Sequence, residues 1–265
     1  MTFFVVGSSR SGTTLLSVLL DRHPRLCVTP ETAFYNDVAP KLWWRSERRL
    51  RRVLETWRRL PELGLDAESV VARVRGRRWR AGDVLRAILE LYAEKRGKPT
   101  AGEKTPQHLA HLRRIFRDFP EAKALCMLRD GRDVALSIAA MPWGVPLRAA
   151  AQQWREAVQQ METIARNEPD RFRIVRYEKL AADPEGELRA IMMFLGEQFD
   201  ARQLDAGIPS GVVLARSMEW KGQALQPVVA ATRRGGTGEE GAMLEQLLAA
   251  ELDRLGYFSG RNGNL

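Results

Sequence analysis

The first sixteen residues restrict the fold more than any other part of the chain. Phe3-Phe4-Val5-Val6 is an apolar run, Gly7-Ser8-Ser9-Arg10-Ser11-Gly12 a small polar turn, and Thr13-Thr14-Leu15-Leu16 the start of an apolar-periodic segment. This order reads as a buried strand, a tight loop and a helix N-terminus. Such a loop aims several backbone N–H groups at one point, at the positive end of a helix dipole, and so suits a phosphate or sulfate. The spacing from Gly7 to Gly12 matches the first half of GxxxxGK[ST], but Thr13 stands where that motif has lysine. A P-loop nucleotidase uses the lysine on the β/γ-phosphates. Arg10, before the second glycine, can instead hold an anion without a metal.

A second string has the same layout. Lys123-Ala124-Leu125-Cys126-Met127-Leu128 reads as a buried strand and runs into Arg129-Asp130-Gly131-Arg132-Asp133, followed by the apolar Val134-Ala135-Leu136-Ser137-Ile138. A guanidinium grips a phosphate bidentately, and a hydroxyl two helical turns on adds a neutral donor. Two anion sites on strand ends suit a ligand with phosphates at both ends.

Arg10-Ser11-Gly12-Thr13-Thr14-Leu15 resembles the 5′-phosphosulfate loop of the sulfotransferases, and Arg129 with Ser137 matches their 3′-phosphate pattern. The resemblance extends over roughly 1–40 and 100–257 and is greatest to the protein-tyrosine and related bacterial branch. It takes in Pro30-Glu31-Thr32, Glu103-Lys104-Thr105-Pro106-Gln107-His108, the block Arg176-Tyr177-Glu178-Lys179-Leu180, and the end Leu255-Gly256-Tyr257. It implies an enzyme that moves a sulfonyl group from 3′-phosphoadenosine-5′-phosphosulfate (PAPS) to an acceptor hydroxyl, leaving 3′-phosphoadenosine-5′-phosphate (PAP), with no metal. By the same resemblance, Arg10 and Ser11 to Thr14 hold the 5′ end, Lys104 assists at the sulfonyl oxygens, and Tyr177 lies by the adenine. Ser217 lies near the donor, and Arg233 and Arg234 belong to a loop over the nucleotide. Gln226 stands where the branch has a lysine.

In-line transfer needs one group to take the acceptor's proton. Glu31, after the second strand candidate Leu26-Cys27-Val28-Thr29, is placed first; Glu103, His108 and His111 are rivals. Cys27, Cys126 and three histidines give no metal-ligand spacing, and two cysteines make no disulfide framework.

At 265 residues the chain suits one domain with a substantial core. Strands are expected near 2–7, 25–29, 123–128 and 172–176. Helices are expected at 12–22, 106–118, 132–140, 147–167, 184–195 and 238–255. This alternation implies an α/β fold, a P-loop-nucleotidase-like central parallel sheet flanked by helices. The segment 38–100 reads as a mostly helical insertion beside the acceptor site. Its stretch 41–80 holds thirteen Lys/Arg against five Asp/Glu, nearly all of the chain's +9 charge. That charge suits a solvated surface, an anionic acceptor or a membrane surface bearing a lipid acceptor. The chain opens directly in a strand and no stretch reaches membrane-spanning length, so a cytoplasmic enzyme is expected, acting on a small-molecule, glycolipid or peptide hydroxyl. The alternatives are a P-loop kinase or nucleotidase, which would need the missing lysine, and a non-enzymatic anion or nucleic-acid binder. The basic stretch lacks the interleaved aromatic platform that single strands require, so nucleic acid is not expected.

Overall fold

A computed structural model describes residues 2–42, 46–77, 79–205 and 238–258. Five strands form one sheet in the order β2-β3-β1-β4-β5. They are β1 (Phe3–Gly7), β2 (Leu26–Val28), β3 (Thr100–Lys104), β4 (Lys123–Leu128) and β5 (Phe172–Arg176). Every neighbouring pair is parallel, so all five carboxyl ends share one edge. Eleven α-helices are described: α1 (Thr13–Asp21), α2 (Phe34–Asp37), α3 (Glu47–Glu55), α4 (Ala67–Val74), α5 (Ala81–Lys95), α6 (Leu112–Asp118), α7 (Gly131–Ala139), α8 (Leu147–Asn167), α9 (Tyr177–Ala182), α10 (Pro184–Leu195) and α11 (Gly238–Arg254).

β1, β2 and β4 are buried on both faces, which is why they read as near-continuous apolar runs. Successive residues face opposite sides. Phe3, Val5, Leu125 and Met127 pack with α1 and α10, whereas Phe4, Val6, Ala124 and Cys126 pack with α5, α6, α8 and α11. Residues 34–95 add α2 to α5, which bury Leu50, Leu54, Val70, Val74, Leu85 and Ile88 against that second layer.

One strand departs from the sequence expectation. Thr100-Ala101-Gly102-Glu103-Lys104, where no strand is expected, is β3, inserted between β1 and β2. All five of its residues are buried. The segment after it is a 3₁₀ helix, Pro106–His111, before α6 begins.

Candidate active site

All the candidate residues that the structure describes, apart from Ser137 and the histidines, lie at or shortly beyond a strand's carboxyl end. Arg10 to Thr14 follow β1, Glu31 follows β2, Lys104 closes β3, Arg129 follows β4 and Tyr177 follows β5. Strand order then decides which of them meet.

The β1–α1 loop is built as an anion cradle. Ser11 Oγ donates to the Ser8 carbonyl at 2.7 Å, and Arg10 and Gly12 take φ of +68° and +100°. Gly12 is required twice over, because a Cβ there would lie 2.5 Å from the Tyr177 ring. No side chain caps α1 and no acidic residue stands in its first turn. The N-termini of α4, α7 and α10, by contrast, are capped by Asp66, Asp130 and Asp183. The first-turn N–H groups of α1 thus have no capping carboxylate and form the positive end of the helix dipole, which fits a phosphosulfate.

Arg10 joins this loop to the next. Its Nε donates to Ser137 Oγ on α7 at 3.0 Å. Burial and the nearby Arg129 charge lower its pKa, with Glu31 acting against them. The guanidinium stays charged, and an anion placed there would relieve both strains. Arg129 Nη2 donates to Asp133 Oδ2 at 3.1 Å, and its guanidinium lies 4.4 Å from the centre of the Tyr177 ring. Its buried Nε has no hydrogen-bond partner, an unspent donor that suits a phosphate oxygen. Sequence reasoning paired Arg129 with Ser137; in the structure Ser137 bonds Arg10, and Asp133 takes Arg129.

Lys104 ends a central strand, its side chain is 0% exposed, and its Nζ lies 2.8 Å from Glu31 Oε1, whose side chain is 21% exposed. Glu31 lies in a non-helical segment, two residues before the Ala33 that precedes α2, so it does not cap a helix. Arg59 Nη1 donates to the Glu31 carbonyl at 2.7 Å. Arg10, Glu31 and Lys104 therefore gather at the ends of three adjacent strands.

The rival bases Glu103 and His108 are engaged elsewhere. Glu103 is fully buried; its Oε1 accepts from Thr32 and Thr105 hydroxyls at 2.6 Å each, and its Oε2 lies 2.8 Å from His108 Nδ1. The Tyr35 amide donates to His108 Nε2 at 3.1 Å, which leaves the proton on Nδ1, donated to Glu103. Burial pushes the Glu103 carboxyl up, but the His108 contact and these bonds outweigh it and hold it below its ordinary range. With Thr105 Oγ1 accepting from the Ala33 amide at 2.9 Å, the network stitches the Glu31 loop to the end of β3. His111 stacks on Tyr35, ring centres 6.1 Å apart, with its pKa lowered by burial and by His108 and Arg114.

Ser217, Gln226, Arg233 and Arg234 lie outside the described residues. Five arginines of the basic stretch form ion pairs: Arg51 and Arg75 with Glu47 and Glu68, Arg73 with Glu90 and Glu94, Arg77 with Glu90, and Arg59 with Asp37. Arg48, Arg52 and Arg58 are exposed. Cys27 and Cys126 are buried free thiols, and burial pushes both up, Cys27 to about 12. Among the described residues no cluster of His, Cys, Asp and Glu could hold a metal ion, and no helix is long and apolar enough to cross a membrane. Sequence reasoning gave no role to Arg59, Asp133, Trp154 or Glu178; Asp133 and Glu178 lay inside recognisable motifs, Arg59 and Trp154 in none.

A model of the sulfotransferase family matches residues 2–201. Protein-tyrosine sulfotransferase 2 of Gallus gallus is 30% identical over 96% of this chain and 68% of its own length. Protein-tyrosine sulfotransferase of Drosophila melanogaster is 29% identical over 85% of this chain, which spans only 44% of that protein. Among solved structures, the sulfotransferase domain from the Synechococcus PCC 7002 olefin synthase superposes with a TM-score of 0.63 at 21% identity, covering 94% of each chain. It shares the fold.

Proposed function

Because the chain belongs to the sulfotransferase family, we propose that its strand-end cluster transfers a sulfonyl group from PAPS to an acceptor hydroxyl by in-line displacement. The convergence of Arg10, Glu31 and Lys104 at the ends of β1, β2 and β3 carries this reading. The donor supplies an activated sulfonyl group on a phosphate leaving group. The uncapped first turn of α1, with Ser11, Thr13 and Thr14, holds its 5′ end; Arg129, with Ser137 nearby, holds the 3′-phosphate; and Tyr177 lies on the nucleotide side. Arg10 and Lys104 face the oxygens on which charge develops. Glu31 takes the acceptor's proton, a role worth about 10²–10⁴ in rate. Its bond to Lys104 orients the carboxylate and places base and cation together.

The acceptor side is proposed to lie toward residues 38–100, taken as a helical insertion within one catalytic domain. A surface cavity of about 500 Å³ is lined there by Asp37, Lys41, Thr56, Trp57, Arg58, Arg59 and Glu62, and Arg59 also grips the Glu31 loop. That size suits a hydroxyl-bearing small molecule or one end of a larger acceptor. The two buried free thiols support a reducing, cytoplasmic setting.

Calorimetry with PAP, without magnesium, tests the donor site. Wild type is expected to bind, Arg10→Ala and Arg129→Ala each at least tenfold more weakly, and ATP to compete poorly. Magnesium-dependent ATP binding with no PAP binding would overturn the reading and favour a nucleotidase.

A further inference from the structure

The peptide that links Arg129 to Asp130 is gripped at both of its polar atoms. Its carbonyl accepts from Trp154 Nε1 on α8 at 3.0 Å, and its amide donates to Glu178 Oε1 on α9 at 2.9 Å. Trp154 also lies so close that a Cβ on Gly131 would meet its ring at 2.6 Å. The other Glu178 oxygen accepts from the Tyr257 hydroxyl, beyond the end of α11, at 3.2 Å. Tyr257 is itself fixed: the Arg176 guanidinium lies 4.6 Å from its ring centre and donates to the Leu255 carbonyl at 2.8 Å. A second tie runs from the same turn to α11, because Asp130 holds Arg132 at 2.7 Å and Arg132 reaches Glu245 at 2.7 Å.

A buried carboxylate is costly unless its bonds are well placed. Glu178 is half-buried, and its carboxylate accepts from the Asp130 amide and from the Tyr257 hydroxyl. A peptide plane held on both edges cannot rotate, so the direction in which the Arg129 side chain leaves the backbone is set. The guanidinium, steadied at its far end by Asp133 and the Tyr177 ring, then keeps a buried Nε without a partner.

We propose that Glu178 and Tyr257 are positioning residues for the donor's 3′-phosphate. Acting through the Asp130 amide, they set the approach of Arg129, which makes the chain's C-terminal segment part of the donor site. This rests on the reading of Arg129 as the 3′-phosphate ligand.

The test compares PAP with adenosine 5′-monophosphate, which lacks the 3′-phosphate, by calorimetry and competition on the full chain. Tyr257→Phe is expected to weaken PAP about 3–10-fold, as befits one lost hydrogen bond. Glu178→Met, which strands the Asp130 amide, is expected to weaken it more, by roughly 10–30-fold. Glu178→Gln keeps an acceptor for that amide and should recover most of the loss. Adenosine 5′-monophosphate affinity should stay within about twofold throughout, and in an Arg129→Ala background Tyr257→Phe should have no further effect. Equal losses for both nucleotides, or no loss of PAP affinity in Tyr257→Phe and Glu178→Met, would overturn the proposal. If Glu178→Met fails to fold, Tyr257→Phe and Glu178→Gln decide. An Arg129→Ala variant that binds PAP like wild type would instead remove the premise, a result distinguishable from failure of the positioning role.

Discussion

Glu31→Gln separates chemistry from stability. The Lys104 ammonium is fully buried and Glu31 lies 2.8 Å from it with 21% of its side chain exposed. Deleting one partner of a buried ion pair costs about 3–5 kcal/mol, because a charge is left uncompensated. Glutamine keeps an oxygen that can accept from the ammonium, and such a charged hydrogen bond restores roughly 1.5–3 kcal/mol. With Glu31 partly solvated, the remaining loss is expected at about 1–2 kcal/mol. For a chain of this size that lowers the melting temperature by roughly 2–8 °C. Turnover should fall far more, by about 10²–10⁴, with PAP affinity unchanged. Thermal unfolding, PAP calorimetry and steady-state kinetics on the same preparation check all three. Adding Lys104→Met to Glu31→Gln removes the buried ammonium together with the carboxylate it faces, so stability should recover while activity stays low. Turnover of Glu31→Gln within tenfold of wild type would refute Glu31 as the base, and a double variant no more stable than Glu31→Gln would refute the energetics.

Other parts of the site make equally direct claims. Gly12→Ala forces an L-residue to φ +100° and a Cβ to within 2.5 Å of Tyr177, so a loss of about 1–3 kcal/mol and weakened PAP binding are expected in melting and calorimetry. Arg10→Lys keeps the charge but loses the planar fork and the 3.0 Å bond to Ser137, and kcat/KM for the donor should fall about 10–100-fold. Glu103 has a folded pKa held below its ordinary value of 4.5. Its contribution to stability is therefore complete above that value and lost as pH falls through the folded pKa. Urea unfolding of wild type and Glu103→Gln should show a gap that is constant at neutral pH and narrows as pH falls below 4.5; a gap that stays constant there would contradict it.

What hydropathy could show and what it could not divide at β3. β1, β2 and β4 are legible because each is an apolar run buried on both faces, β5 by Phe172, Ile174 and Val175, and Arg10, Glu31, Arg129 and Tyr177 are legible as strand-end residues. Thr100-Ala101-Gly102-Glu103-Lys104 carries no apolar run, and its two charges are buried only because Glu31, Thr32, Thr105 and His108 meet them. Those partners come from another strand's loop and from a 3₁₀ turn, so no local pattern announces them. The same gap made Glu103 and His108 look like rival bases: their residue types suit the role, and only the contacts show the work they already do.

Strand order supplies the rest of the logic. With β3 between β2 and β1, Lys104 can reach Glu31, and Arg10 stands at the neighbouring end. With β4 and β5 on the other flank, Arg129, Tyr177 and Glu178 collect on the far side of the same loop. Arg10 is the residue between the two groups, bonded to Ser137 on one side and feeling Glu31 on the other. Substitutions on the β2–β3 flank should therefore act on turnover, those on the β4–β5 flank on donor affinity, and Arg10 alone on both. A Glu31 variant that lost PAP affinity while turning over normally would show that this division is wrong.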